Sequence, residues 1–437
     1  MFLPENVIGC IRKLEQAGFL AYAVGGCVRD ALLGLTPHDY DLCTNALPED
    51  TARVFSQYTL VHSGEKHGTV GVVMDGDVIE ITTFRTEGGY QDSRHPDWVR
   101  FVDGLDEDLA RRDFTVNAMA YHPKTGYIDP FGGQTDLKNK NLRTVGDPAA
   151  RFTEDALRIL RGVRFAVRFA LTPEEKTFQA MITLASLQDK LAKERIFDEL
   201  CKLLPLVTAD DLHRFAPVLT AVIPELKPMV GFLQHTPHHA YDVFTHTALV
   251  VAGVGEDLAL RWAALLHDTG KPGSFTMDEN GQGHFKGHAH LSAEIAESIL
   301  HRLKAPTALR EQVVLLIKQH MTPLEPDKRI LRRRLGQYGI ETVRKMLVLQ
   351  KADFAGKGVD GDTAVFSQVE ALLEEILLEE ACFTAKDLAV NGQDLINLGF
   401  APGPAIGACL ASLLEQVQDE KLPNEKQALL QAARFML

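Results

Sequence analysis

The sequence predicts an α+β protein with a sheet-containing N-terminal head and an all-helical remainder. A strand pattern, a Gly-Gly pair and a helix pattern follow one another from residue 21. Two strand-like runs flank the turn signal Asp75-Gly76, and helical periodicity continues from Thr153 onward. Because 437 residues exceed what one core usually organises, we divide the chain into four segments. These are a head at 1–140, a helical neck at 141–225, a second helical unit at 226–360 and a helical tail at 361–437.

Composition favours a cytoplasmic protein. Residues 1–20 carry charges within an amphipathic helical pattern, unlike a signal peptide, and no later segment is apolar long enough to span a bilayer. The six cysteines are scattered without CxxC pairs, so we expect neither a disulfide framework nor a zinc–thiolate site. The sequence therefore predicts a reducing cytoplasm and no membrane partner.

The charge distribution leaves room for a nucleic-acid partner. A formal charge of −13 opposes phosphate binding, which draws its affinity from Lys and Arg. Two segments are nevertheless basic: residues 151–170 hold five arginines against two acids, and residues 328–345 hold seven basic residues against one glutamate. Such runs are usually solvated helix faces, but they also allow a local RNA track.

Gly25-Gly26 is a candidate phosphate cradle. The pair opens a helix, where backbone N–H groups and the helix dipole can hold phosphate oxygens while Arg29 adds positive charge. Alone, such a pair is more often a tight turn. Asp39 and Asp41 favour the phosphate-cradle interpretation over a simple turn, because period-two geometry on a strand puts both carboxylates on one face. Two oxygen ligands on a rigid strand suit Mg²⁺, which keeps substrate phosphates in its shell.

Glu80, on the second strand of the predicted hairpin, is a candidate third carboxylate. A solvated strand face explains it equally well. Carboxylate-held metal ions are what two-metal phosphoryl transfer requires to align an attacking hydroxyl and neutralise a leaving pyrophosphate.

Asp155 and Arg158 form a candidate polar pair in the neck. The run from Glu154 to Arg158 predicts a helix start, and the i, i+3 spacing would set the two side chains side by side. From these residues alone, an ordinary ion pair within a helix is the favoured interpretation.

The second unit contains an unusual pair, His267-Asp268, in an apolar stretch. Burying two adjacent polar groups in an apolar helix requires a partner for them, and a cation provides one. His246 and Asp353 fall on separate predicted helices, with further histidines, including His288 and His320, between them.

Four motifs in order resemble the class II tRNA nucleotidyltransferases and their bacterial poly(A) polymerase relatives. They are Gly25-Gly26-Cys27-Val28-Arg29-Asp30, Asp39-Tyr40-Asp41, Arg111-Arg112-Asp113-Phe114-Thr115-Val116-Asn117-Ala118-Met119 and Asp129-Pro130-Phe131-Gly132-Gly133. The resemblance implies a polymerase-β-like nucleotidyltransferase head in which Asp39 and Asp41 hold Mg²⁺. It also implies that Gly26, Arg29 and Arg112 contact the incoming nucleotide.

The Glu154–Arg158 run is similar to the family motif that selects nucleotides, which assigns Asp155 and Arg158 to base recognition. Cytosine and adenine each present an amine donor beside a ring-nitrogen acceptor, and an aspartate beside an arginine complements both. Guanine and uracil present the reverse order and would leave buried polar groups unpaired, at about 1–3 kcal/mol each. Arg161 and Arg164 resemble the remaining nucleotide-contacting arginines.

Three other segments resemble family features. The polar, glycine-containing run 85–92 predicts a mobile loop at the position of the flexible loop associated with adding the terminal A. The run 195–200 resembles a later neck motif and is interpreted as structural. The tail resembles the family's C-terminal region, for which we expect tRNA binding.

The order of histidines and aspartates in the second unit resembles the HD-domain phosphohydrolases. This resemblance implies a metal site with the ligands His246, His267, Asp268 and Asp353. Imidazole and carboxylate ligands suit a divalent transition metal or Mg²⁺ and do not choose between them. His288 and His320 are candidates for a second metal. Relatives with this unit can show phosphatase, 2′-nucleotidase or cyclic-phosphodiesterase activity.

The sequence thus predicts an enzyme for template-independent addition or repair of the 3′-terminal CCA of tRNA. The expected partners are the tRNA 3′ end, CTP and ATP, and the expected cofactor is Mg²⁺, with a second divalent metal in the HD unit. An A-adding enzyme and a poly(A) polymerase share every motif and stay open as alternatives. An HD phosphohydrolase with an inactive, RNA-binding head is an alternative of another class, which the intact carboxylates oppose.

Overall fold

The computed structural model describes residues 1–62, 64, 67–88, 98–379 and 384–437. It divides into two compact units: unit 1 comprises residues 1–207 and 211–224, and unit 2 comprises residues 208–210 and 225–437. The four predicted segments divide the chain more finely, and their boundaries stay predictions.

Most of the strands lie in the head. The strands are β1 (Ala21–Val24), β2 (Asp41–Thr44), β3 (Thr59–Val61), β4 (Thr69–Met74), β5 (Asp77–Thr83), β6 (Arg85–Gly88), β7 (Trp98–Phe101), β8 (Ala120–His122), β9 (Gly126–Ile128), β10 (Asn141–Leu142), β11 (Thr172–Pro173), β12 (Thr276–Met277) and β13 (Gly283–His284). Seven of them form a sheet in the order β3-β4-β5-β2-β1-β8-β9. Because β2 and β5 are parallel while the other neighbours are antiparallel, the sheet is mixed, as predicted.

The register of this sheet brings two candidate carboxylates together. Strands β4 and β5 form the predicted hairpin, with Met74 opposite Asp77 and a two-residue turn in which Asp75 has a φ of 54° and Gly76 a φ of 91°. Parallel pairing of β2 with β5 then sets Asp41 opposite Glu80. The prediction that Asp39 also lies on the strand is wrong, because β2 begins at Asp41.

Eleven α-helices precede residue 225 among the described residues. They are α1 (Glu5–Gln16), α2 (Gly26–Leu32), α3 (Pro48–Val54), α4 (Leu105–Ala110), α5 (Gly133–Lys138), α6 (Pro148–Glu154), α7 (Leu157–Arg168), α8 (Glu175–Thr183), α9 (Lys193–Leu203), α10 (Ala209–Arg214) and α11 (Ala216–Val222). Helix α7 approaches the head closely at Gly162, where a Cβ would come within 2.9 Å of the Phe114 ring. The neck is therefore packed tightly against the head.

Unit 2 is helical apart from the short pair β12 and β13. Its helices are α12 (Val243–Gly253), α13 (Leu258–Leu266), α14 (Lys271–Ser274), α15 (His288–Arg302), α16 (Thr307–Gln319), α17 (Lys328–Tyr338), α18 (Ile340–Gly356), α19 (Ala364–Leu378), α20 (Gly392–Leu398), α21 (Pro404–Gln418) and α22 (Lys426–Arg434). Several begin at a side-chain cap, such as Asp242 before α12 and Asp257 before α13. Leu395, Leu413 and Leu429 belong to a small separate core formed by the last three helices. The predicted α+β fold class is confirmed.

The prediction of a loop at 85–92 is wrong for residues 85–88. Strand β6 occupies Arg85–Gly88 and pairs with β7 in antiparallel register, while residues 89–97 lie outside the described part of the chain. Within the described residues, no helix is long and apolar enough to cross a bilayer.

The second basic run does not form a free cationic surface. Arginines on α17 pair with acids that directly follow α19 and α21: Arg332 lies 2.8 Å from Glu379 and 2.6 Å from Glu420, and Arg333 lies 2.8 Å from Asp419. These ion pairs neutralise much of the charge that suggested an RNA track at 328–345. The sequence could not reveal them, because the acids lie 47 to 88 residues away in the chain.

Candidate functional site

A cleft of about 570 Å³ in unit 1 gathers nearly all the candidate residues of the head and neck. The predicted residues that line it are Gly26, Arg29, Asp39, Asp41, Arg112, Asp155, Arg158, Arg161 and Arg164. Eight arginines and four aspartates line it in total, so the cleft is cationic in a chain of net charge −13. Such a surface suits an anionic ligand such as a nucleoside triphosphate.

Helix α7 supplies half of these arginines. Arg158, Arg161, Arg164 and Arg168 recur at spacings of three and four residues, which places them on one face of a helix. The opposite face of α7 buries Ile159 and Val163 in the core. The first basic run of the sequence is thus the cationic wall of the cleft.

Asp39 and Asp41 provide negative charge at one end of the cleft. No Lys or Arg forms an ion pair with Asp39, Asp41 or Glu80 within the described residues. Partial desolvation and the carboxylate of Glu80 raise the pKa of Asp41, while Arg112 acts in the opposite direction. Asp39 and Asp41 line the cleft and Glu80 does not, but Glu80 is the register partner of Asp41, so all three stay candidate ligands of a divalent ion.

The glycine pair lies next to two cationic side chains. Gly25 has a φ of 76°, and a Cβ at this position would lie 3.0 Å from Nη1 of Arg112, so a side chain here would crowd that guanidinium. Nε of Arg112 is buried and has no hydrogen-bond partner among the described residues. Arg29 is more constrained, because it donates hydrogen bonds to Asp30 and to Asn117.

The predicted side-by-side geometry of Asp155 and Arg158 is wrong. Helix α6 ends at Glu154, Asp155 adopts an extended backbone (φ −140°, ψ 104°), and α7 starts at Leu157. Oδ1 of Asp155 accepts a hydrogen bond from the Leu157 amide, and Oδ2 accepts one from Nη2 of Arg195 at 3.1 Å. The carboxylate is therefore positioned by Arg195, and not by Arg158.

Arg158 makes a different set of contacts. Its Nη1 donates to Oε2 of Glu154 at 2.7 Å, and its Nη2 donates to the Arg111 carbonyl at 3.2 Å. Among the described residues, no acceptor bonds the Nε–H of Arg158. The guanidinium is thus fixed in orientation while one of its edges remains available in the cleft.

A buried carboxylate, Asp113, links the two ends of the cleft. Its Oδ2 accepts two hydrogen bonds from Arg161, at 3.0 and 2.8 Å, and its Oδ1 accepts one from Asn117 at 3.1 Å. Asn117 in turn accepts from Arg29. Burial acts to raise the pKa of Asp113. The opposing effects of Arg161 and Asn117 are larger and bring this pKa below its ordinary value, to about 2.

We expect Asp113→Asn to lower the free energy of unfolding by about 2 kcal/mol near pH 7, because each unit of pKa shift corresponds to about 1.4 kcal/mol. The folded pKa lies below the unfolded one, so this stabilisation is present above about pH 4 and is lost as the pH falls towards 2. Unfolding of both proteins across this range measures it. A difference independent of pH would contradict the assignment, and Asp106→Asn, at an exposed position on α4, is the control.

Several cleft residues were missed from the sequence. Arg111, Asp113 and Asn117 belong to the Arg-Arg-Asp motif run, and Arg168 continues the spacing of the α7 arginines, so these had a sequence signal. Arg195 was interpreted as structural, yet it lines the cleft. Only the packing of α9 against α7 brings it to Asp155.

Unit 2 contains a second polar site, the histidine–aspartate cluster, which consists of His246, His267, Asp268, His288, His320 and Asp353. His246 Nε2 lies 3.0 Å from Asp353 Oδ1 and 3.2 Å from His267 Nε2. All six side chains are buried. The prediction that His267-Asp268 lies within a helix is wrong, because α13 ends at Leu266 and the pair occupies the following turn.

The electrostatics of the cluster are those of a site that favours cations. Burial acts to lower the pKa of His267. The opposing effects of Asp268 and Asp353 are larger and raise this pKa above its ordinary value, to about 10. Lys271 Nζ lies 2.7 Å from Asp268 Oδ2, yet neither Asp268 oxygen has a hydrogen-bond partner of acceptable geometry in the described part of the chain. The buried aspartate is thus a fitting ligand for a metal ion.

A cavity of about 410 Å³ opens onto the cluster. Asp268, His288, His320 and Asp353 contribute to its wall. Its other lining residues include the cationic side chains of Lys271, Lys286 and Lys357. This combination would accept an anionic group next to the cluster.

Comparison with known proteins identifies the family. The "Poly A polymerase head domain" matches residues 21–143, the "tRNA nucleotidyltransferase domain 2" matches residues 284–433, and the "Probable RNA and SrmB- binding site of polymerase A" matches residues 170–209. A CCA-adding enzyme of Limosilactobacillus fermentum is 36% identical over 440 residues, covering 100% of this chain and 97% of the relative. The chain belongs to the family of CCA-adding enzymes. A CCA-adding enzyme of Streptococcus thermophilus is 33% identical, with 100% and 98% of the two chains covered.

Solved CCA-adding enzymes share the fold. The enzyme of Bacillus stearothermophilus, in complex with CTP, matches with a TM-score of 0.72 at 28% identity, covering 99% of this chain and 97% of that one. The Thermotoga maritima CCA-adding enzyme, complexed with tRNA, matches with a TM-score of 0.58 at 23% identity, covering 97% and 93%. The predicted family is thereby confirmed, and so is the polymerase-β-like type of head.

Proposed function

We propose that this protein adds or repairs the 3′-terminal CCA of tRNA, using CTP and ATP without a nucleic-acid template. The observation that carries the proposal is the single cleft of unit 1, in which carboxylates, a glycine pair and a cationic helix face meet in a member of the CCA-adding family. Because the substrates are tRNA and nucleoside triphosphates, the proposed location is the cytoplasm.

Asp39 and Asp41 are the proposed ligands of a divalent cation, which we propose to be Mg²⁺, with Glu80 as a third carboxylate beside them. Asp41 and Glu80 are register partners on adjacent strands, and no cationic side chain neutralises either in the described residues. A divalent ion bound there supplies charge neutralisation at the transferring phosphate and the leaving pyrophosphate. The contribution of the sheet is to fix Asp41 and Glu80 on adjacent strands before substrate binds.

Gly26, Arg29 and Arg112 are the proposed contacts of the triphosphate. Gly25 and Gly26 carry no side chains. The N–H of Gly25 donates to the Met119 carbonyl, so phosphate oxygens can approach the N–H of Gly26 at the start of α2. The unpartnered Nε of Arg112 offers a donor and a fixed positive charge. Arg29 is held by Asp30 and Asn117, so we assign it mainly to the electrostatic field and shape of the cleft.

Base choice is proposed to depend on Asp155 and Arg158, with Arg161 and Arg164 completing the wall around the nucleotide. Asp155 presents an acceptor held by Arg195, and Arg158 presents an Nε–H donor held by Glu154. Cytosine and adenine match an acceptor beside a donor, whereas guanine and uracil leave both protein groups unpaired. Selection then needs no template strand.

We expect Arg158→Ala to reduce kcat/KM for CTP and ATP by about 5- to 150-fold, which corresponds to about 1–3 kcal/mol for a lost buried contact. Discrimination against GTP and UTP should weaken as well. The measurement is kcat/KM for all four nucleotides on tRNA ending in CC. The matched control is Glu154→Gln, which removes the ion pair but keeps the guanidinium and should preserve the ratios. Unchanged ratios in Arg158→Ala would mean that base choice is made elsewhere.

Three tRNA substrates distinguish the proposed activity from its alternatives. They end in the discriminator base, in C or in CC, and each is incubated with CTP and ATP separately and together. The proposal predicts two C residues from CTP and a single A added only after CC. An A-adding enzyme would extend only the CC end, and a poly(A) polymerase would add runs of A to all three.

A second function is proposed for unit 2, on the observation that the buried Asp268 lies among four histidines in two groups that could hold a metal ion. We propose that His246, His267, Asp268 and Asp353 bind a divalent metal in a phosphohydrolase site of the HD type. The cationic cavity beside it would hold the phosphate of a 2′-phosphate or 2′,3′-cyclic phosphate. A metal-activated water is the chemistry that such a site supplies.

A further inference from the structure

Arg168 differs from the other arginines of the unit 1 cleft in having no acidic partner among the described residues. Eight arginines line the cleft, and seven of them form an ion pair with an aspartate or a glutamate. Within the described part of the chain, the Arg168 side chain has neither an ion pair nor a hydrogen bond, so its guanidinium is available to an anionic ligand. The seven pairs are Arg29–Asp30, Arg111–Asp108, Arg112–Asp108, Arg158–Glu154, Arg161–Asp113, Arg164–Glu199 and Arg195–Asp155.

The position of Arg168 on α7 places it far from the end of the cleft proposed to read the base. Arg158 lies in the first turn of α7, and Arg168 is the last residue of the same helix. At the usual rise of about 1.5 Å per residue, the two backbone positions are about 15 Å apart along the helix axis. Because α7 forms one wall of the cleft, a ligand whose base lies beside Arg158 reaches Arg168 with its other end.

The neighbours of Arg168 belong to the end of the cleft that holds the glycine pair. The guanidinium carbon of Arg168 lies 5.2 Å from the centroid of the Phe169 ring, and that of Arg29 lies 4.2 Å from the same centroid. Arg29 in turn is close to Gly26, where a Cβ would lie 3.6 Å from its Nη2. One aromatic ring thus carries two guanidiniums beside the proposed phosphate contact.

The two cations on this ring are unequally compensated. Burial lowers the pKa of Arg29, and the charge of Arg168 acts in the same direction, whereas Asp30 opposes both. Arg29 therefore has a carboxylate against this repulsion, and Arg168 has none in the described residues. An anion bound beside both guanidiniums would relieve the repulsion and accept hydrogen bonds from Arg168. We propose that Arg168 binds the β- and γ-phosphates of the incoming nucleoside triphosphate, the part that leaves as pyrophosphate.

The proposal deepens the nucleotide addition proposed for unit 1, and it rests on the use of CTP and ATP by this cleft. The β- and γ-phosphates are the same in every nucleoside triphosphate, so Arg168 contributes to affinity and not to base choice. This separates its role from that of Arg158. A purely structural role is also defined, because an arginine in the last turn of a helix interacts favourably with the helix dipole. That interaction would leave ligand affinity unchanged.

The test measures the dissociation constants of CTP, ATP and inorganic pyrophosphate for the full chain with Mg²⁺ and without tRNA, and separately that of tRNA ending in CC. We expect Arg168→Gln to raise the constants of all three phosphate ligands by about 5- to 30-fold, as for the loss of one charge-assisted contact at an exposed position. The ratio of CTP to ATP affinity and the affinity for tRNA should not change. Arg168→Lys keeps the charge and should recover most of the lost affinity.

Arg214→Gln is the matched control. Arg214 is the exposed last residue of α10, its guanidinium carbon lies 5.3 Å from the centroid of the Phe215 ring, and it does not line the cleft. It should bind every ligand as the unmodified protein does. Unchanged pyrophosphate affinity in Arg168→Gln would overturn the proposal, and so would a loss confined to tRNA, which would indicate a contact to the RNA backbone. If the unmodified protein binds CTP and ATP in either of these cases, the proposed function is retained. If it binds neither nucleotide, both proposals are rejected.

Discussion

Asp41→Ala and Asp39→Ala are each expected to abolish nucleotide addition, with a loss of about 10³-fold or more. Removing one ligand of a catalytic cation forfeits several kcal/mol of transition-state stabilisation. The fold should tolerate the change, because the raised pKa of Asp41 means that folding disfavours its charge. Removing that charge therefore costs no electrostatic stability.

Single-turnover transfer of AMP from ATP to tRNA ending in CC, with release of pyrophosphate, measures this effect. The tRNA affinity and the thermal unfolding of each variant are measured in parallel. Asp77→Ala is the matched control, because Asp77 is an exposed acid on β5 that bonds Asn6 and does not line the cleft. Addition near the unmodified rate in either Asp39→Ala or Asp41→Ala would reject these residues as ligands.

The double variant His267→Ala with Asp268→Ala is expected to eliminate metal-dependent phosphohydrolase activity and to leave CCA addition intact. It removes the centre of the cluster, whereas the nucleotide cleft lies in the other unit. Asp268→Asn keeps the side-chain volume and should give the same loss, because an amide is a poorer metal ligand than a carboxylate.

Hydrolysis of nucleoside 2′,3′-cyclic phosphates and 2′-phosphates is measured with Mg²⁺, Mn²⁺ and Ni²⁺, in parallel with CCA addition. His290→Ala serves as the control and should retain both activities. If the unmodified protein hydrolyses neither ester with any of these ions, the cluster is structural. If the double variant also loses CCA addition, the two sites are not independent.

The parts of the fold that were predictable depend on short-range chemistry. Asp75-Gly76 encodes a two-residue turn, and that turn fixes the hairpin that carries Glu80. The arginines of α7 recur with helical spacing, which predicts a common face before any packing is known. Family motifs then named most of the residues that line the cleft.

The parts that were missed depend on contacts between distant segments. Nothing local to Asp155 shows that the chain breaks between α6 and α7, and its partner Arg195 lies 40 residues away. The acids that neutralise α17 are similarly distant. In unit 2, the family resemblance named His288 and His320 as candidates for a second metal, but only the structure shows that their Nδ1 atoms bond the Phe285 and Ile317 carbonyls.

The central claim is that one cleft in unit 1 builds CCA by reading nucleotides with protein side chains. The most direct test supplies the purified full chain with tRNA ending in the discriminator base and all four nucleoside triphosphates at equal concentration, and then sequences the 3′ ends. We predict that the products end in CCA, with neither U nor G incorporated and no extension beyond the terminal A. Runs of A, addition of A directly to the discriminator base, or substantial incorporation of G or U would contradict the account.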